Sequence, residues 1–396
     1  MPDKPAIITA TETLSYSELY CRVCKRVEQL KAEGLCEGQP YDSPAAQDAE
    51  TVVTNLAVLA CHAFTVLHTT GTTGAAKGVM ISEDAWTANA ENLIDRLGFT
   101  SELLFIVCGP LGHLGSLSKI FPTLMTGGTL YLMDSLKDFG AFFSLFDLPY
   151  AKFATFLVPS SIRMLLQFAQ KELAALASKI DFIETGAAPM AQHDMELLCR
   201  TLPHSRLYNT YASTETGIVC SYEFSRYGCR PGVVGRPMKH SSVRIDSSGR
   251  VVCSGRTLMS GYACDPEATA RVLVEGEVHT TDLGFINSDG MLCLQGRGDD
   301  IINVGGYKVN PVEVEDAAIS FDSIQDCICV PAPHPVLGTA PKLLYVPSQG
   351  SEAVKPRDIA EFLRGRLESY KIPLFYEAVE SIRHTYNGKP DRKAYL

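Results

Sequence analysis

No run of apolar residues in this sequence approaches the roughly 20 needed to span a bilayer as a helix. The longest candidate, 52–67, is interrupted by Thr54, Asn55, His62 and Thr65 and reads as a buried helix followed by a strand. No dense Lys/Arg run appears and the formal net charge is −10. That balance argues against nucleic acid or membrane insertion as the basis of function, although a local ring of backbone donors can still hold phosphate. The opening residues lack an apolar core that would read as a secretory signal. The 13 cysteines are odd in number and scattered, so free thiols and a cytoplasmic location are expected. Cys21 and Cys24 form a C-x-x-C with no second ligand pair nearby, and read as ordinary helix positions rather than a zinc or redox site. Internal repeats are also missing.

What is present exceeds the material of one core. A chain of 396 residues has two domains as its prior. Residues 15–33 show helical spacing behind a serine cap, and 37–50 read as a polar surface connection. From Phe64 onward short β-rich runs (64–70, 103–108, 129–133, 181–185, 206–211) alternate with helical stretches (82–98, 161–179), the signature of a layered α/β fold. After about residue 230, Gly and Asp turns separate short strands, which predicts an antiparallel region. After Asp299 a third texture begins, with helices expected over 311–320 and 356–370 around strands 326–332 and 342–348. The expected fold class is α/β, with layered subdomains and a small barrel-like antiparallel region over 1–298. A small α+β domain would occupy 299–396.

The sharpest local signal is His68-Thr69-Thr70-Gly71-Thr72-Thr73-Gly74-Ala75-Ala76-Lys77-Gly78, directly after an apolar strand. Glycines let the backbone turn its N–H groups toward an anion, threonines add hydroxyl donors, and Lys77 adds a mobile cation. A Walker A loop needs G-x-x-x-x-G-K-[ST], and here Ala76 precedes and Gly78 follows the lysine. The segment resembles the phosphate loop of the acyl-adenylate-forming superfamily, [ST]-S-G-T-T-G-x-P-K-G, with Thr70 for the serine and Ala76 for the proline. That superfamily includes acyl- and aryl-CoA ligases and peptide-synthetase adenylation domains.

The resemblance continues in family order. Tyr211-Ala212-Ser213-Thr214-Glu215 is similar to Y-G-x-T-E, which implies Tyr211 against adenine, Thr214 at the α-phosphate and Glu215 on Mg²⁺. Gly186, Ala187 and Ala188 in E-T-G-A-A-P-M resemble the turn bordering adenine and the acyl pocket. His113 in P-L-G-H-L-G resembles a histidine flanking the carboxylate site. Thr280-Thr281-Asp282 stands where the family has T-G-D, and Gly296-Arg297-Gly298-Asp299-Asp300 matches G-R-x-D-D. The resemblance implies that Asp282 and Arg297 meet the ribose and that Asp299 is the hinge of a mobile C-terminal domain. Gly305 and Gly306 would line a pantetheine tunnel, and Lys389 near the end would be the adenylation lysine.

These expectations amount to an AMP-forming carboxylate–CoA ligase of the o-succinylbenzoate or aryl/acyl type, using ATP, Mg²⁺ and CoA on a small carboxylic acid. The alternatives are a stand-alone enzyme loading a carrier protein and a degenerate nucleotide-binding homologue. One departure stands out. Typical members carry on the order of a hundred more residues between the opening L-S-Y-S-E-L stretch and the phosphate loop, so a peripheral subdomain is expected to be cut down here.

Overall fold

Helices begin where side chains can satisfy their free N–H groups. Ser15 Oγ accepts from Glu18 N at 3.2 Å while the Glu18 carboxylate accepts from Ser15 N at 2.8 Å. This capping box starts the helix Tyr16–Ala32. Ser82 caps Glu83–Leu97, which Gly98 ends in the left-handed conformation at φ 72°. Asn310 caps Pro311–Ile319, with proline in the first turn where no N–H is needed. The computed structural model describes residues 2–69, 76–348, 354–384 and 390–395. Among these, no helix is long and apolar enough to cross a membrane.

The strands form three sheets. In the largest, Leu103–Val107 lies between Thr129–Leu132 and Lys152–Phe156, followed outward by Ile180–Gly186 and Arg206–Ser213, all parallel. Every residue of Leu103–Val107 is buried, as expected of a central parallel strand covered on both faces. One face carries Glu83–Leu97 and Ile120–Met125, with Trp86 against Phe121 at 4.7 Å. The other carries Pro159–Phe168 and Gln192–Thr201. Gly217–Glu223 then runs antiparallel to Arg206–Ser213. From it the sheet continues through Val233–Pro237, Leu292–Arg297, Glu277–Ile286, Arg250–Gly255 and Ser241–Ile245. The parallel and antiparallel textures of the sequence therefore share one hydrogen-bonded sheet.

The second sheet joins Phe64–Thr69, Lys77–Ile81 and Gly261–Tyr262. It also contains Pro40–Asp42, parallel to Phe64–Val66, within the stretch expected to be a plain surface connection. The third sheet is built from Ile302–Val304, Tyr307–Val309, Ile324–His334, Gly338–Pro347 and Phe375–Ala378. It packs on Pro311–Ile319 and Pro356–Arg364 around its own core. Two predicted helices are shorter than expected. The 161–179 stretch breaks at Ala169 into Pro159–Phe168 and Gln170–Ala175, a bend that puts Leu173 into the same core as Ile162, Leu165 and Leu166. The 356–370 stretch stops at Arg364 before Gly365, and Tyr370 instead stacks on Tyr307 at 4.8 Å.

The third sheet touches the large part through charged groups. Arg163 on Pro159–Phe168 donates to Asp194 at 2.9 Å and to Asp326 at 3.1 Å. The Asp316 carboxylate accepts from Gln192 N at 2.9 Å, and Ala191 is buried within the third sheet's core.

Candidate active site

Open α/β sheets present ligand sites at the C-terminal ends of their parallel strands, and the predicted residues gather there. Arg206–Ser213 carries Tyr211 near its end. Glu277–Ile286 and Leu292–Arg297 pair so that Asp282 lies opposite Arg297. The Tyr211 hydroxyl donates to Asp282 Oδ2 at 2.6 Å, and Arg297 Nε lies 3.5 Å from Oδ1. Burial, and then the Asp282 charge, push the Tyr211 hydroxyl well above its usual range, so it remains a neutral donor. Asp282 is thereby held as a two-oxygen acceptor at one end of the site.

The loop after Tyr211 is fixed by its own hydroxyls. Ser213 Oγ accepts from Thr216 N, and Thr216 Oγ1 accepts from Ser213 N, both at 3.1 Å. Thr214 and Glu215 lie between these two, half-buried. Gly217 then reverses the chain at φ 65°, and a Cβ there would lie 2.4 Å from Thr257 O. The Tyr262 hydroxyl donates to Glu215 Oε1 at 3.0 Å. Lys77 Nζ sits 4.8 Å from the centre of the same ring. Burial and the Glu215 carboxylate raise the Tyr262 hydroxyl above its usual range. Glu215 keeps a second oxygen for a cation. A single carboxylate, with no cluster of three or more candidate ligands among the described residues, suits Mg²⁺, which retains most of its waters and takes its other oxygens from phosphate.

Thr69 pairs with Lys77 across the strands Phe64–Thr69 and Lys77–Ile81. Thr70, Gly71, Thr72, Thr73, Gly74 and Lys389 lie outside the described residues. Beside the strands, Asp42, His68, Gly78 and Cys264 line a cleft of about 360 Å³, with His68 Nε2 2.9 Å from Asp42.

On the neighbouring strand, Gly186 ends so close to Thr210 O that a Cβ would lie 2.6 Å away. Ala187 follows in the left-handed region at φ 67° and turns the chain out of the strand toward Ala188. His113 immediately precedes Leu114–Leu117, which places it on the loop after Leu103–Val107. The ring of Phe156, at the end of Lys152–Phe156, closes the space between these turns. A Cβ on Gly115 would lie 2.8 Å from it, and one on Gly186 3.8 Å. Behind the ring, Lys119 Nζ lies 5.0 Å from its centre and donates to Glu184 Oε1 at 2.8 Å. Each side chain of this pair is 1% exposed. Burial pulls the Lys119 ammonium below its usual range, and Glu184 opposes that.

Gly305 and Gly306 turn between two strands of the third sheet at φ 57° and 96°. Gly305 lines a cleft of about 200 Å³ with Tyr307, Leu337, Tyr370 and Ile372. Asp299 lies in the single turn Gly298–Asp300 that leads from the large sheet into the third. The structure thus brings Tyr211, Asp282 and Arg297 together and sets Lys77 beside Glu215, while Gly305 and Gly306 belong to another sheet. Sequence reasoning missed Tyr262, Phe156 and the Lys119–Glu184 pair. For Tyr262 a signal existed, the Gly261-Tyr262 dipeptide, but its role arises only from pairing with Met80 and Val79.

A family model described as AMP-binding enzyme matches residues 30–263, and one described as AMP-binding enzyme C-terminal domain matches 313–389. Among similar curated proteins is a feruloyl-CoA synthase of an Amycolatopsis species, 28% identical over 335 residues, covering 82% of this chain and 67% of that protein. A 4-coumarate–CoA ligase of Humulus lupulus is 26% identical over 348 residues, covering 82% and 63%. The chain therefore spans about two thirds of the length of these relatives. Of the solved structures, ATP-bound MatB from Rhodopseudomonas palustris superimposes with a TM-score of 0.89 at 21% identity, over 100% of this chain and 96% of that one. An o-succinylbenzoate CoA synthetase from Bacillus subtilis, in complex with its acyl-adenylate, gives 0.84 at 19%, over 100% and 95%.

Proposed function

Because the chain belongs to the AMP-binding enzyme family, we propose that it joins a carboxylic acid to AMP and then transfers the acyl group to the thiol of CoA. The observation that carries this reading is the shared edge. Asp282 with Tyr211 and Arg297, and Glu215 with Tyr262 and Lys77, flank the loop that follows the strand Arg206–Ser213. A ribose acceptor and a phosphate-side charge cluster are thus separated by one short turn, as a nucleotide requires. The CoA-ligase names of the similar proteins support a thiol acceptor.

In the first half-reaction a carboxylate oxygen of the acid attacks the α-phosphorus of ATP, and the bond to pyrophosphate breaks. The chain's task is positioning and charge neutralisation. Asp282 accepts from the ribose hydroxyls, and Arg297 keeps that carboxylate oriented. Lys77, beside Glu215 and Tyr262, supplies positive charge to the departing phosphates. Glu215, steadied by Tyr262, would hold Mg²⁺, which supplies positive charge to the phosphate oxygens when bound. Lys389 neutralises charge on the pentacoordinate phosphorus. In the second half-reaction the thiol sulfur attacks the acyl carbon, the thiol proton leaves to solvent or a base, and AMP departs. Gly305 and Gly306 leave space for a narrow thiol-bearing arm.

The test is pyrophosphate release with ATP, Mg²⁺ and a panel of carboxylic acids, with and without CoA. Acid-dependent release is expected, and Lys389→Ala is expected to lower it roughly 10²–10³-fold, the usual loss for one transition-state donor. Release that CoA leaves unchanged, with no acyl-CoA formed, would move the acceptor to a carrier protein. Absence of acid-dependent release would sink the activity itself.

A further inference from the structure

Cys199 Sγ and Cys229 Sγ lie 3.8 Å apart in hydrogen-bond contact, although 30 residues separate them in the chain. Both are free thiols and both are half-buried, whereas Cys220, Cys253, Cys327 and Cys329 are buried. A small reagent therefore reaches the first two and not the others. A cysteine packs as a small hydrophobe, a role that alanine or valine fills equally. Packing alone does not account for two sulfurs meeting at one point.

Both backbones are held in place. Cys199 belongs to the helix Gln192–Thr201, which buries Met195 and Leu198 in the core. Cys229 follows a turn at Gly228, φ 93°. There the hydroxyl of buried Tyr222 is shared between Tyr227 O at 3.0 Å and Gly228 O at 2.8 Å. A disulfide needs its sulfurs about 2.05 Å apart, so the pair is about 1.8 Å short of a bond. The two thiols also differ. Burial, and then the neighbouring Cys229, push the Cys199 thiol up to about 12. Burial raises Cys229 as well, but the hydrogen bond from Cys199 favours its thiolate. Because the thiolate is the nucleophile, Cys229 is the attacking sulfur and Cys199 the resolving one.

We propose that Cys199 and Cys229 are a reversible oxidation site, closed to a disulfide by a small disulfide such as oxidised glutathione. The Cys229 thiolate attacks one glutathione sulfur, the S–S bond breaks, and one glutathione leaves as a thiolate that takes up a proton. Cys199 then gives its proton to solvent and attacks Cys229 Sγ, which releases the second glutathione. Two protein thiols and one glutathione disulfide become one protein disulfide and two glutathione thiols. The ring so closed, 199–229, contains the strands Arg206–Ser213 and Gly217–Glu223, and with them Tyr211, Thr214 and Glu215. A cross-link across such a loop removes freedom from the unfolded chain, so oxidation fastens the segment that carries the candidate site. The inference stands apart from the activity proposed above, since it needs neither ATP nor an acid.

The experiment incubates the reduced, native protein with oxidised glutathione, blocks the remaining thiols with N-ethylmaleimide and digests with trypsin. Cleavage after Arg200 and Arg226 puts the two cysteines on separate peptides, so mass spectrometry reads their linkage directly. A 199–229 pair is expected as the predominant internal cross-link, removed by dithiothreitol. Cross-links dominated by other cysteines, or none joining these two, overturn the site, and this arm uses only the wild type. Cys199→Ser is expected to retain one glutathione on Cys229, and Cys229→Ser to take up at least tenfold less at Cys199. Equal uptake in the two variants overturns the assignment of the attacking sulfur. Reduction after oxidation is expected to lower the melting temperature of the wild type by roughly 3–8 °C more than that of Cys199→Ser. An equal shift in the two proteins overturns the fastening of the segment.

Discussion

At the scale of the residue, Tyr262 shows how one side chain serves two charges. Its hydroxyl holds Glu215 and its face lies beneath Lys77. Tyr262→Phe keeps the face and removes the hydrogen bond. It is expected to lower stability by about 1.5–3 kcal/mol, the range for a hydrogen bond to a charged group, and to raise the KM for ATP. Urea unfolding and ATP titration check the two effects separately. The pH dependence follows from the direction of the shift. A tyrosine raised in the folded state contributes stability that is intact below its unfolded value near 10 and is lost as the pH rises through the folded one. Both Tyr211 and Tyr262 are raised. Stability is therefore expected to decline above about pH 10, and less steeply in Tyr262→Phe; equal slopes in the two proteins would refute the coupling. Tyr211, Asp282 and Arg297 were legible as text because each stands in a short ordered motif. Lys119 was not, since in S-L-S-K-I it reads as an ordinary polar helix position, and only the partner 65 residues away makes burial tolerable.

Elements were legible where their causes are local. Ser15, Ser82 and Asn310 mark helix starts, and the apolar run Leu103–Val107 is a central strand for the reason it appeared to be. The break at Ala169 and the strand Pro40–Asp42 were not visible, because each depends on what lies across from it in space. The reversal at Gly217 is a case in which one residue decides an element. It joins the last parallel strand to the first antiparallel one at φ 65°, against the carbonyl of Thr257 and the side chain of Asn89. Gly217→Ala is expected to cost roughly 2–4 kcal/mol. Gly249→Ala, also at positive φ but with nothing within 4 Å of the added Cβ, should cost about 1 kcal/mol. Denaturant midpoints of the two variants check this, and equal losses would show that backbone strain alone governs both sites.

At the scale of the molecule, the alternation of strands and helices pointed to the layered α/β part, and the change of texture after Asp299 to a separate small sheet. The sequence did not reveal that the antiparallel strands continue the parallel sheet, since a strand's text does not name its partner. Nor did it reveal how Arg163, Asp194 and Asp326 join the small sheet to the large part. We propose that the small part, 299–396, swings about Asp299 between the two half-reactions, which requires those contacts to break. A disulfide between Gln192→Cys and Asp316→Cys, whose backbone and side chain now meet at 2.9 Å, would hold the present arrangement. Oxidation is expected to slow one half-reaction more than tenfold and spare the other, with reductant restoring it. Pyrophosphate release and acyl-CoA formation, measured separately against oxidised wild type, distinguish the outcomes; two unaffected half-reactions would rule out the swing.

The largest sheet also sets a schedule for synthesis. Pro5–Ile8 has its parallel partner in Thr129–Leu132, with Ile7 opposite Leu130. At roughly 5–20 residues per second, the 123 residues added after Ile7 up to Leu130 take the ribosome roughly 6–25 s. Because both strands traverse the same exit tunnel, Pro5–Ile8 emerges ahead of its parallel partner by that interval, and meanwhile has only its short hairpin with Thr13–Ser15 for company. A nascent chain of this protein therefore has a built-in waiting period, in which a chaperone that shields Pro5–Ile8 would act before the strands bearing Tyr211, Asp282 and Arg297 have been made.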